Sequence, residues 1–265
     1  MKKVLLIILT ISLTSCASWK QPSTNTQGDP KNANNYGYHP MDPLPVEIKL
    51  KEVENDSRSI KSRMLDALPD ETMRLAVGQI TNSGGITFGT ATTGFKGNQY
   101  VVILDYIKFN TESFGVKLNK TTDKYSIASL TETSDADVIV PVYVGVGLRL
   151  TANITVLKGE VNLGNLFAIG GEASSEKISG TLVVQTLGIS GKTISTSIPM
   201  PSEINSTTIQ NAILALGTIK AVMYENDTKI TPRVVGVYNT LGGGSETING
   251  FISSILQKPK VLNVE

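Results

Sequence analysis

One cysteine, one histidine and one tryptophan occur in 265 residues. A lone cysteine, Cys16, rules out an internal disulfide, so stability must come from a packed core or from contacts between chains. A lone histidine, His39, removes Ser-His-Asp and Cys-His catalysis, which need an oriented imidazole, and metal sites built on His and Cys. Charged residues make up only 18% of the chain and balance to a net +1. The lysines and arginines are scattered with no basic stripe, which argues against nucleic acid as a partner. Neither GxxxxGK[ST] nor GxGxxG occurs, so no phosphate-cradling loop is legible. The acidic pair Asp135 and Asp137 lacks the spacing and closing glutamate of a calcium loop, and reads as a solvated turn before a strand. The expectation is a non-enzyme with no catalytic residue, no metal and no cofactor.

The chain begins MKKVLLIILTISLTSCASWK. Two lysines precede an apolar stretch of about ten residues, Val4 to Leu13, which suits a signal-peptide core and is too short to cross a bilayer as a helix. Leu13-Thr14-Ser15-Cys16 then resembles the lipobox of bacterial lipoproteins. That resemblance implies cleavage before Cys16, diacylglycerol on its sulfur and an acyl chain on its new amino group. Such chains anchor stably at about 0.8 kcal/mol per buried methylene. No aspartate follows the cysteine, and the resemblance therefore implies the outer membrane, with the body mainly on the periplasmic side. Residues 16–45 are rich in Pro, Asn, Gly and Ser and poor in aliphatics, and read as a disordered lipidated tether. Tyr36, Tyr38 and Met41 form a small apolar group within it. The divisions expected are a signal peptide at 1–15, the tether at 16–45 and a single domain at 46–265.

The domain reads as α+β and sheet-dominated, with a pair of helices near its C-terminus. Val46–Val53, Met73–Ile80 and Tyr100–Phe109 read as strands, the last apolar on both faces and therefore central. Val116–Leu118 and Tyr125–Leu130 are weaker strand patterns. Ser57–Leu68 reads as a helix capped by Asp56 or Ser57. Ile178–Met200 reads as a hairpin turning at Ser190-Gly191-Lys192, with Ile194, Thr196 and Ile198 on one face of the return strand. Ser206–Tyr224 is the clearest helix, capped by Asn205 or Ser206. Lys229–Tyr238 carries Pro232 and is expected at an edge or with a bulge. Glu246–Leu256 closes the pair of helices.

Val138 to Val156, VIVPVYVGVGLRLTANITV, holds period 2 without a slip. Val142, Val144, Val146, Leu148, Leu150, Ala152, Ile154 and Val156 share one side, and Tyr143, Gly145, Gly147, Arg149, Thr151, Asn153 and Thr155 the other. Two readings fit: a strand of an ordinary sheet with one wet face, or a spanning strand with its apolar side toward lipid or a neighbouring subunit and Arg149 toward a lumen.

ADVIVPVYVGVG (Ala136 to Gly147), LVVQTLGISGKTISTS (Leu182 to Ser197), the helix at Ser206–Tyr224 and MRLAVGQITNSGG (Met73 to Gly85) together resemble the curli secretion channel family of outer-membrane lipoproteins. That family implies a homo-oligomeric ring to which each copy contributes hairpins, with other envelope or secretion proteins as partners. The interval Asn98–Thr133 departs from it, reading as strand and loop where the family has helices. The function expected is thus an oligomeric, non-enzymatic part of an export or assembly apparatus. The alternative is a periplasmic or surface-facing binding lipoprotein with no channel, using the loops at Gly84–Gly97 and Gly159–Lys177.

Overall fold

A computed structural model describes residues 37–52, 54–80, 86–89, 99–121, 124–159, 161–167, 177–242, 245–258 and 260–265. Cys16 and residues 16–36 lie outside them, as does most of the two loops at Gly84–Gly97 and Gly159–Lys177.

The strands in chain order are β1 Gly37–Pro45, β2 Glu47–Leu50, β3 Asp70–Ile80, β4 Ile86–Gly89, β5 Gln99–Thr121, β6 Lys124–Thr131, β7 Val138–Val156, β8 Ile178–Leu187, β9 Ile189–Ser190, β10 Ser202–Glu203, β11 Lys229–Ile230, β12 Arg233–Asn239 and β13 Val261–Val264. The helices are α1 Ile60–Asp66, α2 Leu163–Phe167, α3 Lys192–Ser197, α4 Ser206–Val222 and α5 Ser245–Leu256.

Among the described residues a nine-stranded sheet organises the fold, with the order β1-β12-β7-β5-β3-β4. Its spine is the antiparallel pair β5 and β7, in register from Gln99 opposite Thr155 to Val116 opposite Val138. β6 continues on β5 beyond β3, and β8 and β12 share the far edge of β7. The sheet curls until β1 comes alongside β3 and the His39 ring meets that of Phe88 on β4, centroids 5.0 Å apart. Gly147 marks where the curl is tight. A Cβ there would lie 1.9 Å from the Tyr106 carbonyl oxygen, so no larger residue fits.

The apolar side of β7 is buried in the main core. Val142, Val144, Val146, Leu148, Leu150, Ile154 and Val156 are each at most 2% exposed, and they share that core with Ile209, Ala212 and Leu216 of α4 and Phe251 of α5. This corrects the reading of that side as one turned to lipid or to a neighbouring subunit. The chain's own helices occupy it. α4 is held in place at its start by a capping box. Asn205 Oδ1 accepts from the Thr208 N–H, and the Asn205 N–H donates to Thr208 Oγ1, both at 2.9 Å.

Three further expectations change. Gly37–Pro45, assigned to the tether, is a strand of the main sheet, and the folded part begins there rather than at Val46. The return strand of the Ile178–Met200 hairpin is absent. Lys192–Ser197 is helix α3, and β8 pairs with β7 instead. Lys229–Tyr238 breaks at Pro232 into β11 and β12; of the two expected outcomes the bulge is found, at Val235, whereas β12 lies between β1 and β7 and not at an edge. The sheet-rich body with two longer helices toward the C-terminus matches the expected α+β class. Among the described residues no helix is long and apolar enough to cross a membrane.

Candidate functional site

The opposite side of the sheet holds the chemistry that the spacing alone did not bring together. Asp105 of β5 stands directly opposite Arg149 of β7, and the same row continues to Arg74 on β3 and Gln185 on β8. Arg149 was expected to face a lumen. It is instead buried at 3% exposure against an Asp105 that is fully buried. Arg149 Nε donates to Asp105 Oδ1 at 2.8 Å and Nη2 to Oδ2 at 2.7 Å, the two-point geometry that a planar guanidinium favours. Two further N–H groups go to backbone. Nη1 donates to the Met41 carbonyl at 2.6 Å, and Nη2 to the Val235 carbonyl at 2.9 Å. Tyr38 of β1 donates its hydroxyl to Asp105 Oδ2. One guanidinium and one carboxylate therefore tie four strands: β1, β5, β7 and β12.

Burial opposes the charge on Arg149, but the hydrogen bonds and charge of Asp105 together outweigh it and hold the guanidinium above its ordinary range. Burial pushes the Asp105 carboxyl up, and Arg149 and Tyr38 pull it back. The Tyr38 phenol lies well above its usual value, first through burial and then through the neighbouring Asp105 charge, so it stays a donor. Around this clamp stand Ile107, Phe109, Tyr143, Leu187 and Val235, a small apolar cluster separate from the main core. Phe109 meets Tyr143 edge-on at 4.8 Å, and the Arg74 guanidinium lies 5.7 Å from the Tyr143 ring centre. With β1 in place Asp105 and Arg149 are almost completely shielded from solvent, and in this arrangement they hold strands together.

The sequence carried a signal for this pair. YVVILDYIKF contains a single acid in an apolar strand, and Val138–Val156 contains a single charged residue, of opposite sign. A lone acid and a lone base of this kind in central strands must be paired if both are buried. Asp135 and Asp137 serve the local structure. Asp135 lies 3.4 Å from Lys117 Nζ, and Asp137 Oδ2 accepts from the Leu118 N–H at 2.9 Å. Among the described residues no group of His, Cys, Asp and Glu is arranged to hold a metal. A cavity of about 390 Å³ opens between the end of β1 and the residue after it (Leu44, Val46) and the end of α5 and the link that follows (Leu256, Lys258, Lys260).

No family model matches the chain, and it matches no curated protein and no solved structure.

Proposed function

We propose that the protein is a lipid-anchored, non-enzymatic component of the bacterial envelope, held at the outer membrane through Cys16 and working by contact with other envelope proteins. The observation that carries this reading is the burial of the apolar side of β7 beneath α4 and α5. A wall of a pore needs that side bare, and exposing it would strip the main core. The membrane contact then falls to the acyl chains on Cys16, and the binding-lipoprotein reading fits better than a ring whose wall includes Val142–Val156. The roughly 20 residues between Cys16 and Gly37 span at most about 70 Å, which keeps the body near the bilayer. Membrane lipid is thus one partner and envelope or secretion proteins are the others.

The test is labelled palmitate incorporation in wild type and Cys16→Ala, followed by sizing in detergent. The expected result is label on the wild type alone and a monomer or small oligomer. Label retained by the variant overturns the anchor, and a large heat-sensitive ring overturns the binding reading.

A further inference from the structure

β1 pairs with β12 through a backbone ladder that is broken in the middle and short of donors. Its sequence, GYHPMDPLP, has prolines at 40, 43 and 45, which lack the N–H that a ladder needs. Its register on β12 is interrupted between Pro40 and Leu44, and among the described residues its outer edge carries no ladder, although it lies alongside β3. Side-chain and carbonyl contacts add to the six positions paired with β12. The Tyr38 ring lies so close over Gly236 that a Cβ there would be 2.5 Å from Cε2. The Tyr38 hydroxyl reaches Asp105, and the Met41 carbonyl, released from the ladder by the irregularity, takes Arg149 Nη1.

In the floor beneath β1 the Asp105–Arg149 pair keeps three of its bonds without that strand and gives up the two that come from Tyr38 and Met41. Both bonds of the Asp105–Arg149 pair, and the bond from Arg149 to Val235, come from β5, β7 and β12. Lifting β1 would hydrate an ion pair that stays intact, which offsets part of the packing lost; an apolar floor would regain nothing. The floor also offers an aromatic wall, Phe109 and Tyr143.

We propose that β1 is a resident pseudo-ligand, and that the groove beneath it binds an extended segment of a partner protein carrying a tyrosine. The segment would add a strand to the freed edge of β12, seat its tyrosine over Gly236 with the hydroxyl on Asp105, and offer Arg149 a backbone carbonyl three residues on, as Tyr38 and Met41 do. This is the strand-addition mode of peptide recognition. It names the partner class for the binding reading above and rests on that reading.

The experiment uses the full chain, wild type and Tyr38→Phe, with a fluorescent peptide of residues 37–45 and its Tyr→Phe counterpart, read by anisotropy. Hydrogen exchange of the same samples follows β1. Losing a hydrogen bond to a charged group is worth about tenfold or more in an equilibrium. The Tyr38→Phe chain should therefore bind the tyrosine peptide about tenfold tighter than wild type, because its own cover competes less. The phenylalanine peptide should bind about tenfold more weakly than the tyrosine peptide. The amides of β1 should exchange at least tenfold faster than those of β5 and β7. Equal binding of the two peptides, binding to neither chain, β1 exchanging only with global unfolding, or a chain that dimerises in place of taking up peptide would each overturn the proposal. Palmitate labelling of the same protein separates the two ideas. Failed peptide binding with Cys16-dependent label intact sinks the groove alone, whereas label independent of Cys16 sinks the anchor.

Discussion

Asp105 and Arg149 meet at two points, 2.8 and 2.7 Å, across the two central strands of the sheet. Removing one partner strands the other charge in the interior. Arg149→Met should cost about 3–5 kcal/mol, whereas Asp105→Leu combined with Arg149→Met should recover much of that loss. Urea unfolding of the three proteins checks this. A single variant within about 1 kcal/mol of wild type would mean that water reaches the pair.

Gly236 and Tyr38 form a second coupled pair. A methyl at 236 would lie 2.5 Å from Tyr38 Cε2 and 2.8 Å from its hydroxyl oxygen, so the ring must move. Gly236→Ala should cost about 1–3 kcal/mol through this overpacking. In a Tyr38→Ala background the same change should cost far less, and the difference is the coupling between the two sites. Thermal melts of the four proteins measure it, and additive costs would show that the ring is not the obstacle.

The parts of the fold legible in the sequence are those with long, regular patterns. Val138–Val156 gives its strand and its apolar side directly, and the Asn205 cap with Ile209, Ala212, Leu216 and Ile219 gives α4. Periodicity says which side is apolar; it does not say what covers that side, and α4 covering β7 is a tertiary fact. Ile194-Thr196-Ile198 alternates over too few residues to separate strand from helix, and α3 buries Ile194 alone of the three. β1 was hidden by composition. Three prolines in nine residues read as unstructured chain, but an edge strand tolerates them. The burial that fixes β1 comes from Tyr38 and Met41, whose partners are far away in the chain. The clamp was half legible, since Asp105 and Arg149 are each conspicuous, while Tyr38 and the Met41 carbonyl depend on how the sheet curls.

The cover over β7 gives a third prediction. Asn205 caps α4, and Leu216 at its middle is fully buried among the β7 side chains. Asn205→Ala should cost about 1 kcal/mol and Leu216→Ala about 2–5 kcal/mol. Denaturant midpoints of the two variants test this, and a Leu216→Ala cost below about 1 kcal/mol would mean that α4 does not seal the strand.

His39 supplies a pH dependence whose sign follows from its place in the fold. Its ring packs edge-on against Phe88, and burial lowers its pKa from 6.5 to about 4. The unfolded chain therefore takes up a proton between about pH 6.5 and 4 that the native chain does not, so stability falls as pH is lowered through that window. A difference of about 2.5 units corresponds to at most about 3 kcal/mol, fully lost below pH 4. Asp56, held down to about 2 by its hydrogen bonds from Arg58, acts elsewhere. Its contribution is present above the ordinary carboxylate range near 3.8 and is lost only as pH falls from there toward 2. Urea midpoints of wild type and His39→Gln between pH 7 and 4.5 should diverge, the wild type sloping downward and the variant staying flatter. Parallel slopes would place His39 in water rather than against Phe88.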